Sequence, residues 1–139
     1  MSTLNAKSNY LEEALINAVL RNTSFTSPSN VYVALFTAAP GETGGGTEVS
    51  GGSYARVTVS TSGGWDAPSQ VSGFAQTQNT ADITFTTASA SWGTVTSFGL
   101  FDNSTGGNLL YYGDLDASKV VGSGDTLKFL AGELKIAES

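Results

Sequence analysis

The side chains with the clearest potential for chemistry are Asp102, Asn103, Asp114 and Asp116. A tight hairpin would bring their oxygen atoms together, and calcium prefers oxygen ligands. The fixed spacing of an EF-hand loop is absent, however. The run DNSTGG is also typical of a plain turn whose side chains bond to their own backbone. We therefore predict a turn at this place and no metal site.

Two pairs of carboxylates have the residue types of a glycosidase, Glu42 with Glu48 and Asp114 with Asp116. Such pairs are expected by chance because the chain has 12 acidic residues. It has no histidine and no cysteine, which excludes serine triads, Cys–His dyads, disulfides and zinc sites built on these residues. We predict no enzymatic activity, no catalytic residue and no cofactor.

Four aromatic residues could form a platform for a sugar or for a protein surface: Trp65, Trp92, Tyr111 and Tyr112. Tyr111 and Tyr112 are neighbours in a predicted strand, so their side chains should point to opposite faces of the sheet. Trp92 is expected to fill the core or to close one end of a sandwich. Trp65 lies in a predicted loop and is the better contact residue, and we favour protein over sugar as its partner.

The elements that would position these residues begin with a hairpin over Ser91–Leu115. Its two strands, WGTVTSFGLF and NLLYYGDL, are rich in aromatic and branched residues, and DNSTGG separates them. A second strong signal is Val31–Thr37, which is apolar at successive positions. Such a run is typical of a central strand that is covered on both faces.

The remaining strands are shorter. They are predicted at Tyr54–Ser60 (with Ala55, Val57 and Val59 on one face and Tyr54, Arg56 and Thr58 on the other), at Ala81–Ser89 (with Ile83 and Phe85 inward), at Asp125–Gly132 and at Glu133–Ala137. Ala38–Gly52 is predicted to be a long flexible loop. Its GETGGG run lacks the Lys-Ser/Thr ending of a P-loop. Ser62–Thr80 is predicted to be irregular, with Trp65 and Phe74 as anchors.

One helix is predicted over Ser8–Arg21. Its apolar stripe follows the helical period and consists of Leu11, Ala14, Leu15, Ala18 and Val19. Ser8 is a suitable N-cap, and Asn22 can close the helix in the left-handed conformation. Ile16 and Leu20 widen the apolar face. We therefore expect this helix to lie on a sheet and also to contact a neighbouring subunit.

Together these signals give one helix and about seven or eight short strands, which predict a mainly β fold. We expect a single domain over residues 1–139, an antiparallel β-sandwich of jelly-roll type with the N-terminal helix packed on or beside it. A chain of this length can bury about two-thirds of its unfolded surface. A core can therefore form without disulfides.

Charge and hydropathy exclude several kinds of partner. The net charge is −6, and the six basic residues are scattered along the chain. Nucleic acids and anionic membranes are bound through clustered basic residues, so we expect neither as a partner. No apolar run is long enough to span a bilayer. The N-terminal segment also lacks the features of a secretory signal, so we expect no export through a membrane.

The chain resembles a family of small tailed-phage virion structural proteins, some of them labelled tail-fibre proteins. The resemblance is carried by NYLEEALINAVLRNTSFTSPSNVYVALFT, EVSGGSYARVTV, and SWGTVTSFGLFDNSTGGNLLYYGDL followed by GDTLKFLAGELKI. It spans nearly the full length, and the order of these segments is distinctive. The resemblance implies a non-enzymatic structural role in a virion assembled in the host cytoplasm, and it supplies no catalytic residues.

Within that class we favour a capsid decoration (cement) protein on the outer capsid surface, where it would bind the major capsid protein and stabilise the shell. The sparse charge and the broad apolar face of the helix predict a homo-oligomer, a trimer or a dimer. The alternative is a tail-fibre or tail-adaptor module bound to tail proteins. A third interpretation is a carbohydrate-binding module that uses Trp65 and exposed tyrosines.

Overall fold

The computed structural model describes residues 5–138, with side chains described from Lys7 onward, and it is mainly β, as predicted. The elements within this range are β1 (Asn5–Lys7), α1 (Asn9–Leu20), β2 (Asn30–Ala38), β3 (Thr47–Glu48), β4 (Val57–Ser60), β5 (Ser69–Val71), β6 (Phe74–Gln78), β7 (Ile83–Thr84), β8 (Gly93–Phe101), β9 (Leu109–Val121), β10 (Lys128–Phe129) and β11 (Lys135–Glu138).

The large sheet is antiparallel, with the order β1-β9-β8-β2-β3 and with β4 paired to β2 beside β3. β2 is central, because β8 pairs with one edge and both β3 and β4 pair with the other. Its residues 33–36 are all buried. The prediction of a strand covered on both faces is confirmed.

One face of the large sheet packs against two small antiparallel sheets, β11-β6-β5 and β10-β7. This packing forms the main core. The buried residues of the main core include Val33, Leu35, Val95, Phe98, Leu100 and Leu115 from the large sheet and Ile83, Phe85, Phe129, Leu134 and Ile136 from the opposite layer. The two layers make the antiparallel sandwich that the alternating strands predicted.

The other face of the large sheet carries a smaller cluster of Ala34, Phe36, Phe101 and Leu109, flanked by Tyr32 and Tyr112. The Phe36 and Phe101 rings stack with their centroids 6.1 Å apart. We call this set the outer cluster. It has no second sheet above it among the described residues, so loops and single side chains must cover it.

The predicted hairpin is formed by β8 and β9. Its register shifts near the turn: Leu100 pairs with Tyr111 and Phe101 with Leu109, which leaves Leu110 without an opposite residue. Such a bulge redirects one side chain. Leu110 accordingly packs in a third cluster with Leu11 of α1 and Val31 of β2.

α1 is confirmed, with Ser8 as its N-cap and Asn22 in the left-handed region at φ 54°. The Ser8 hydroxyl accepts from the amide of Leu11 at 3.2 Å and donates to the carbonyl of Leu109, and the Ser8 amide donates to Leu110 O at 2.9 Å. The cap therefore attaches the helix to the bulge of β9. No helix among the described residues is long and apolar enough to cross a membrane.

Several local predictions need correction. The strands predicted at Ala81–Ser89 and Asp125–Gly132 are limited to β7 and β10, of two residues each. Ala38–Gly52 contains β3, and Ser62–Thr80 contains the β5–β6 hairpin, whose turn uses positive φ at Ser72 and Gly73. The alternation predicted for Tyr54–Ser60 holds only from Val57 onward. Tyr54 precedes the strand, and its ring packs in the main core beside Phe85 and Trp92.

Asn79 connects the two small sheets at the end of β6 and is 1% exposed. Its amide nitrogen donates to Ala81 O at 2.8 Å and to Leu130 O at 3.0 Å, and its amide oxygen accepts from Leu134 N at 2.9 Å. All three partners are backbone groups that enter or leave the small sheets. A single buried amide therefore satisfies groups that would otherwise be unpaired.

We predict that Asn79→Ala lowers the free energy of unfolding by about 2–4 kcal/mol, because it removes several buried hydrogen bonds and leaves their partners unsatisfied. Urea denaturation monitored by tryptophan fluorescence measures this change. The control, Gln70→Ala on the exposed strand β5, should change the free energy by less than about 0.5 kcal/mol. Equal effects of the two substitutions would contradict the role given to Asn79.

Candidate interaction surfaces

Asp102, one of the candidate calcium ligands, stabilises the turn of the β8–β9 hairpin. The Asp102 carboxylate accepts from the backbone amide of Asn108 at 2.7 Å and from its side-chain amide at 3.0 Å. Asn103 Oδ1 accepts from Ser104 N at 2.8 Å. Gly107 has φ 74°, and a Cβ there would lie 2.6 Å from Asp102 Oδ1, so the turn requires glycine. These contacts are those of a plain turn.

Asp114 and Asp116 lie further along β9, away from that turn. The Asp114 carboxylate accepts from the Ser97 hydroxyl at 2.9 Å, across the ladder between β8 and β9. In the part of the chain that the structure describes, no three acidic side chains converge as a metal site would require. The four hairpin side chains are therefore not brought together.

Glu48, one of the candidate glycosidase carboxylates, is held by Arg56. Arg56 Nη2 donates to Glu48 Oε1 at 2.8 Å and Arg56 Nε to Glu48 Oε2 at 2.9 Å, a bidentate ion pair. The Tyr54 hydroxyl donates to Glu48 Oε2 at 2.6 Å and accepts from Leu35 N at 3.0 Å. Glu48 is therefore part of a structural network.

Arg56 also covers the outer cluster and fixes the hairpin turn. Its guanidinium carbon lies 3.8 Å from the centroid of the Phe101 ring, a cation–π contact. Its Nη1 donates to Asn103 O at 2.8 Å and to Gly106 O at 2.9 Å. Only 7% of the Arg56 side chain is exposed. One arginine thus joins the segment after β3, the outer cluster and the turn.

The hydrogen-bond network of Glu48, Tyr54 and Arg56 shifts the pKa values of Glu48 and Tyr54 in opposite directions. Burial alone would raise the pKa of Glu48, but hydrogen bonds from Arg56 and Tyr54 and the charge of Arg56 outweigh it, so this pKa lies below 4.5. Burial and the hydrogen bond to Glu48 raise the pKa of Tyr54 far above its usual range. Glu48 is ionised and Tyr54 neutral at pH 7.

The candidate aromatic residues occupy three different environments. Trp92 is buried, meets Tyr54 edge-on at 5.5 Å, and donates from Nε1 to Gly52 O at 2.9 Å. Tyr111 packs on the main core and Tyr112 on the outer cluster, so their predicted opposite orientation is confirmed. Trp65 is half-buried against the core and forms a backbone bridge with Asn79, which anchors it more firmly than a free loop would.

Trp65 lines a cleft of about 320 Å³ where the large sheet and the β5–β6–β11 sheet separate. The apolar walls are Val31, Pro68, Ala75, Leu100, Leu110 and Ile136, together with the rings of Trp65 and Tyr111. The polar lining is Thr61, Asp66, Gln76, Thr77 and Glu138. We call this feature the Trp65 cleft. It is a largely apolar site with a few polar groups.

α1 presents a second apolar surface, which points away from the sandwich. Ile16, Val19 and Leu20 are 56%, 78% and 77% exposed. Leu11, in the first turns of the helix, is buried. Ile16 and Leu20 were predicted to widen the apolar face, and both are exposed. Val19 was predicted to lie in the buried stripe with Leu11, and this is wrong because the end of the helix extends beyond the part that packs at Leu11. We call Ile16, Val19 and Leu20 the outward face of α1. Contact of this face with a neighbouring subunit stays a prediction.

The sequence analysis predicted neither the contacts of Arg56 nor the Trp65 cleft. The only local signal of Arg56 is that it is a single basic residue in the otherwise uncharged run YARVTVS, and this signal does not identify its partners. The cleft has no local signal, because its lining comes from segments between β2 and β11 that only the fold brings together.

Comparison with protein families gives one match that covers almost the whole chain. The family model described as podophage GP4 fiber I protein gp80 matches residues 6–137. The matched region includes α1 and reaches into the final strand. No curated protein matches the chain.

The Glu48–Arg56 pair predicts a pH-dependent contribution to stability. Because the pKa of Glu48 is lowered by folding, its contribution is present above about pH 4.5 and is lost as the pH falls through the lowered value. We predict that Glu48→Gln costs about 1–2 kcal/mol at pH 7 and distinctly less at pH 3. Urea denaturation of both proteins at the two pH values measures the difference. Glu42→Gln, at an exposed loop carboxylate, is the control, and a cost for Glu48→Gln that is the same at both pH values would contradict the argument.

Proposed function

Because the chain belongs to the podophage GP4 fiber I protein gp80 family, a family of tailed-phage virion structural proteins, we propose that it is a non-enzymatic fibre or tail-adaptor subunit of a podophage particle. The observation that carries this proposal is the match over residues 6–137, which includes nearly all of the described sandwich. The family description favours this alternative over the capsid decoration role that we favoured from the sequence.

Two observations support a binding role: several carboxylates are engaged within the chain, and apolar groups are exposed on the surface. The Glu48 carboxylate is engaged by Arg56, and the Asp102 and Asp114 carboxylates accept hydrogen bonds within the hairpin. Two surfaces with exposed apolar groups, the outward face of α1 and the Trp65 cleft, can contact other molecules. Contact surfaces of this kind suit a protein that assembles with others. We propose other tail proteins of the same particle as its partners.

We further propose that two copies of the chain associate through the outward face of α1. The helix carries Glu12 and Glu13 in its first half and Arg21 at its end. In an antiparallel pair, the acidic half of one helix lies beside Arg21 of the other, and the helix dipoles are also opposed. The three exposed apolar residues of each copy then meet near the two-fold axis. The charge pattern is therefore self-complementary.

This association predicts that Leu20→Glu lowers the molecular mass in solution, because a buried apolar contact becomes a buried charge. Sedimentation equilibrium over a range of concentrations measures the mass. The matched control is Val120→Glu, since Val120 is 76% exposed in β9 and Leu20 is 77% exposed. A wild-type monomer at high concentration, or a mass that Leu20→Glu does not change, would count against the interface.

The position in the particle tests the fibre proposal itself. We expect cryo-EM of virions, combined with an antibody or fused tag on this chain, to place it at the tail. We also expect quantitative mass spectrometry to give a small number of copies compared with the major capsid protein. Hundreds of copies distributed over the capsid shell would instead support a decoration protein. Absence from purified virions would reject both.

A further inference from the structure

We propose that the Trp65 cleft binds an arginine side chain of a neighbouring virion protein. That the partner is a virion protein rests on the proposed function, whereas the chemistry of the occupant rests on the cleft itself. An arginine combines an aliphatic stem, a planar cation that stacks on aromatic rings, and hydrogen-bond donors that match a carboxylate. The cleft offers a complement to each of these parts.

The walls suit the stem and the plane of the guanidinium. Val31, Leu100 and Leu110 form an apolar wall, and the rings of Trp65 and Tyr111 are the aromatic part of the lining. The volume of about 320 Å³ is at the lower end of the range for ligand sites, enough for one long side chain. A cation near an aromatic ring is attracted by its quadrupole, most strongly for tryptophan.

The carboxylates of the cleft have different roles. Glu138 accepts from Lys7 Nζ at 3.1 Å and from the Tyr111 hydroxyl at 2.5 Å, so its charge is already compensated within the chain. Asp66 is exposed, and only its backbone groups form hydrogen bonds within residues 5–138. The Asp66 carboxylate is therefore available to an incoming cation, directly beside Trp65 in the chain.

Charge complementarity decides between an arginine and a neutral apolar group. The chain has a net charge of −6, and Lys7, the basic partner of Glu138, is not itself part of the cleft lining. A basic segment is attracted over a distance by this field and is oriented locally by Asp66. A neutral side chain could pack against the apolar walls but would leave the Asp66 carboxylate without a cation.

The isolated protein tests the chemistry with n-butylguanidinium as the probe and n-butanol as its neutral counterpart. The chain has two tryptophans, so its two indole N–H signals in a ¹H–¹⁵N NMR spectrum report the cleft and the core separately. We expect n-butylguanidinium to shift the Trp65 signal in a saturable and salt-sensitive way and to leave the Trp92 signal in place. Equal shifts with n-butanol would overturn the proposal in favour of a neutral apolar occupant.

Two variants identify the charge that is involved. Asp66→Asn removes the charge at nearly constant volume, and we expect it to weaken n-butylguanidinium binding by about two- to fivefold, the range of an exposed ion pair. The control, Glu42→Gln, removes the same charge from an exposed loop outside the cleft and should leave the affinity unchanged. If both variants bind equally well, or if methyl glycosides bind where n-butylguanidinium does not, the arginine proposal is wrong.

Incorporation into particles separates this inference from the proposed function. Phage that carry Asp66→Asn should contain less of the chain than phage that carry Glu42→Gln, as measured by mass spectrometry of purified virions. Normal incorporation of Asp66→Asn at the tail would overturn the cleft as a contact site while leaving the fibre role intact. Absence of the wild-type chain from the virion would instead refute the fibre role.

Discussion

The central strand β2 must be covered on both faces, and most of the structure follows from this constraint. Val33 and Leu35 point into the main core, while Ala34 and Phe36 point to the outer cluster. The small sheets cover the first face. The second has no sheet over it in the described chain, so Arg56 and the loops around it provide the cover. Burying an arginine is tolerated here because Glu48 and two turn carbonyls satisfy its donors.

This arrangement explains why several carboxylates that suggest chemistry in the sequence make structural contacts in the fold. The carboxylates of Glu48, Asp102 and Asp114 each accept hydrogen bonds from donors in neighbouring strands or turns. The oxygen atoms of these carboxylates therefore stabilise strands and turns of the protein itself. The molecule also exposes apolar area on α1 and in the Trp65 cleft, and such area suits the family of virion structural proteins to which it belongs.

The parts that could be predicted from the sequence are those with local signals. The Ser8 cap and the helical period define α1, and composition defines the β8–β9 hairpin. The β5–β6 hairpin was missed because SQV and FAQTQ are too polar to resemble strands, and β6 is stabilised by pairing with β11 far along the chain. Asn79 and Arg56 act through partners about 50 residues away, and no local pattern predicts such contacts.

The claim that α1 and the Trp65 cleft are contact surfaces in the particle can be tested most directly by hydroxyl-radical footprinting. Oxidation of each residue would be compared between purified virions and the isolated chain at low concentration. The account predicts that Leu20 and Trp65 are protected in the virion, while Val120, which is similarly exposed to Leu20, keeps its reactivity. Unchanged oxidation of Leu20 and Trp65 in virions that contain the chain would contradict it.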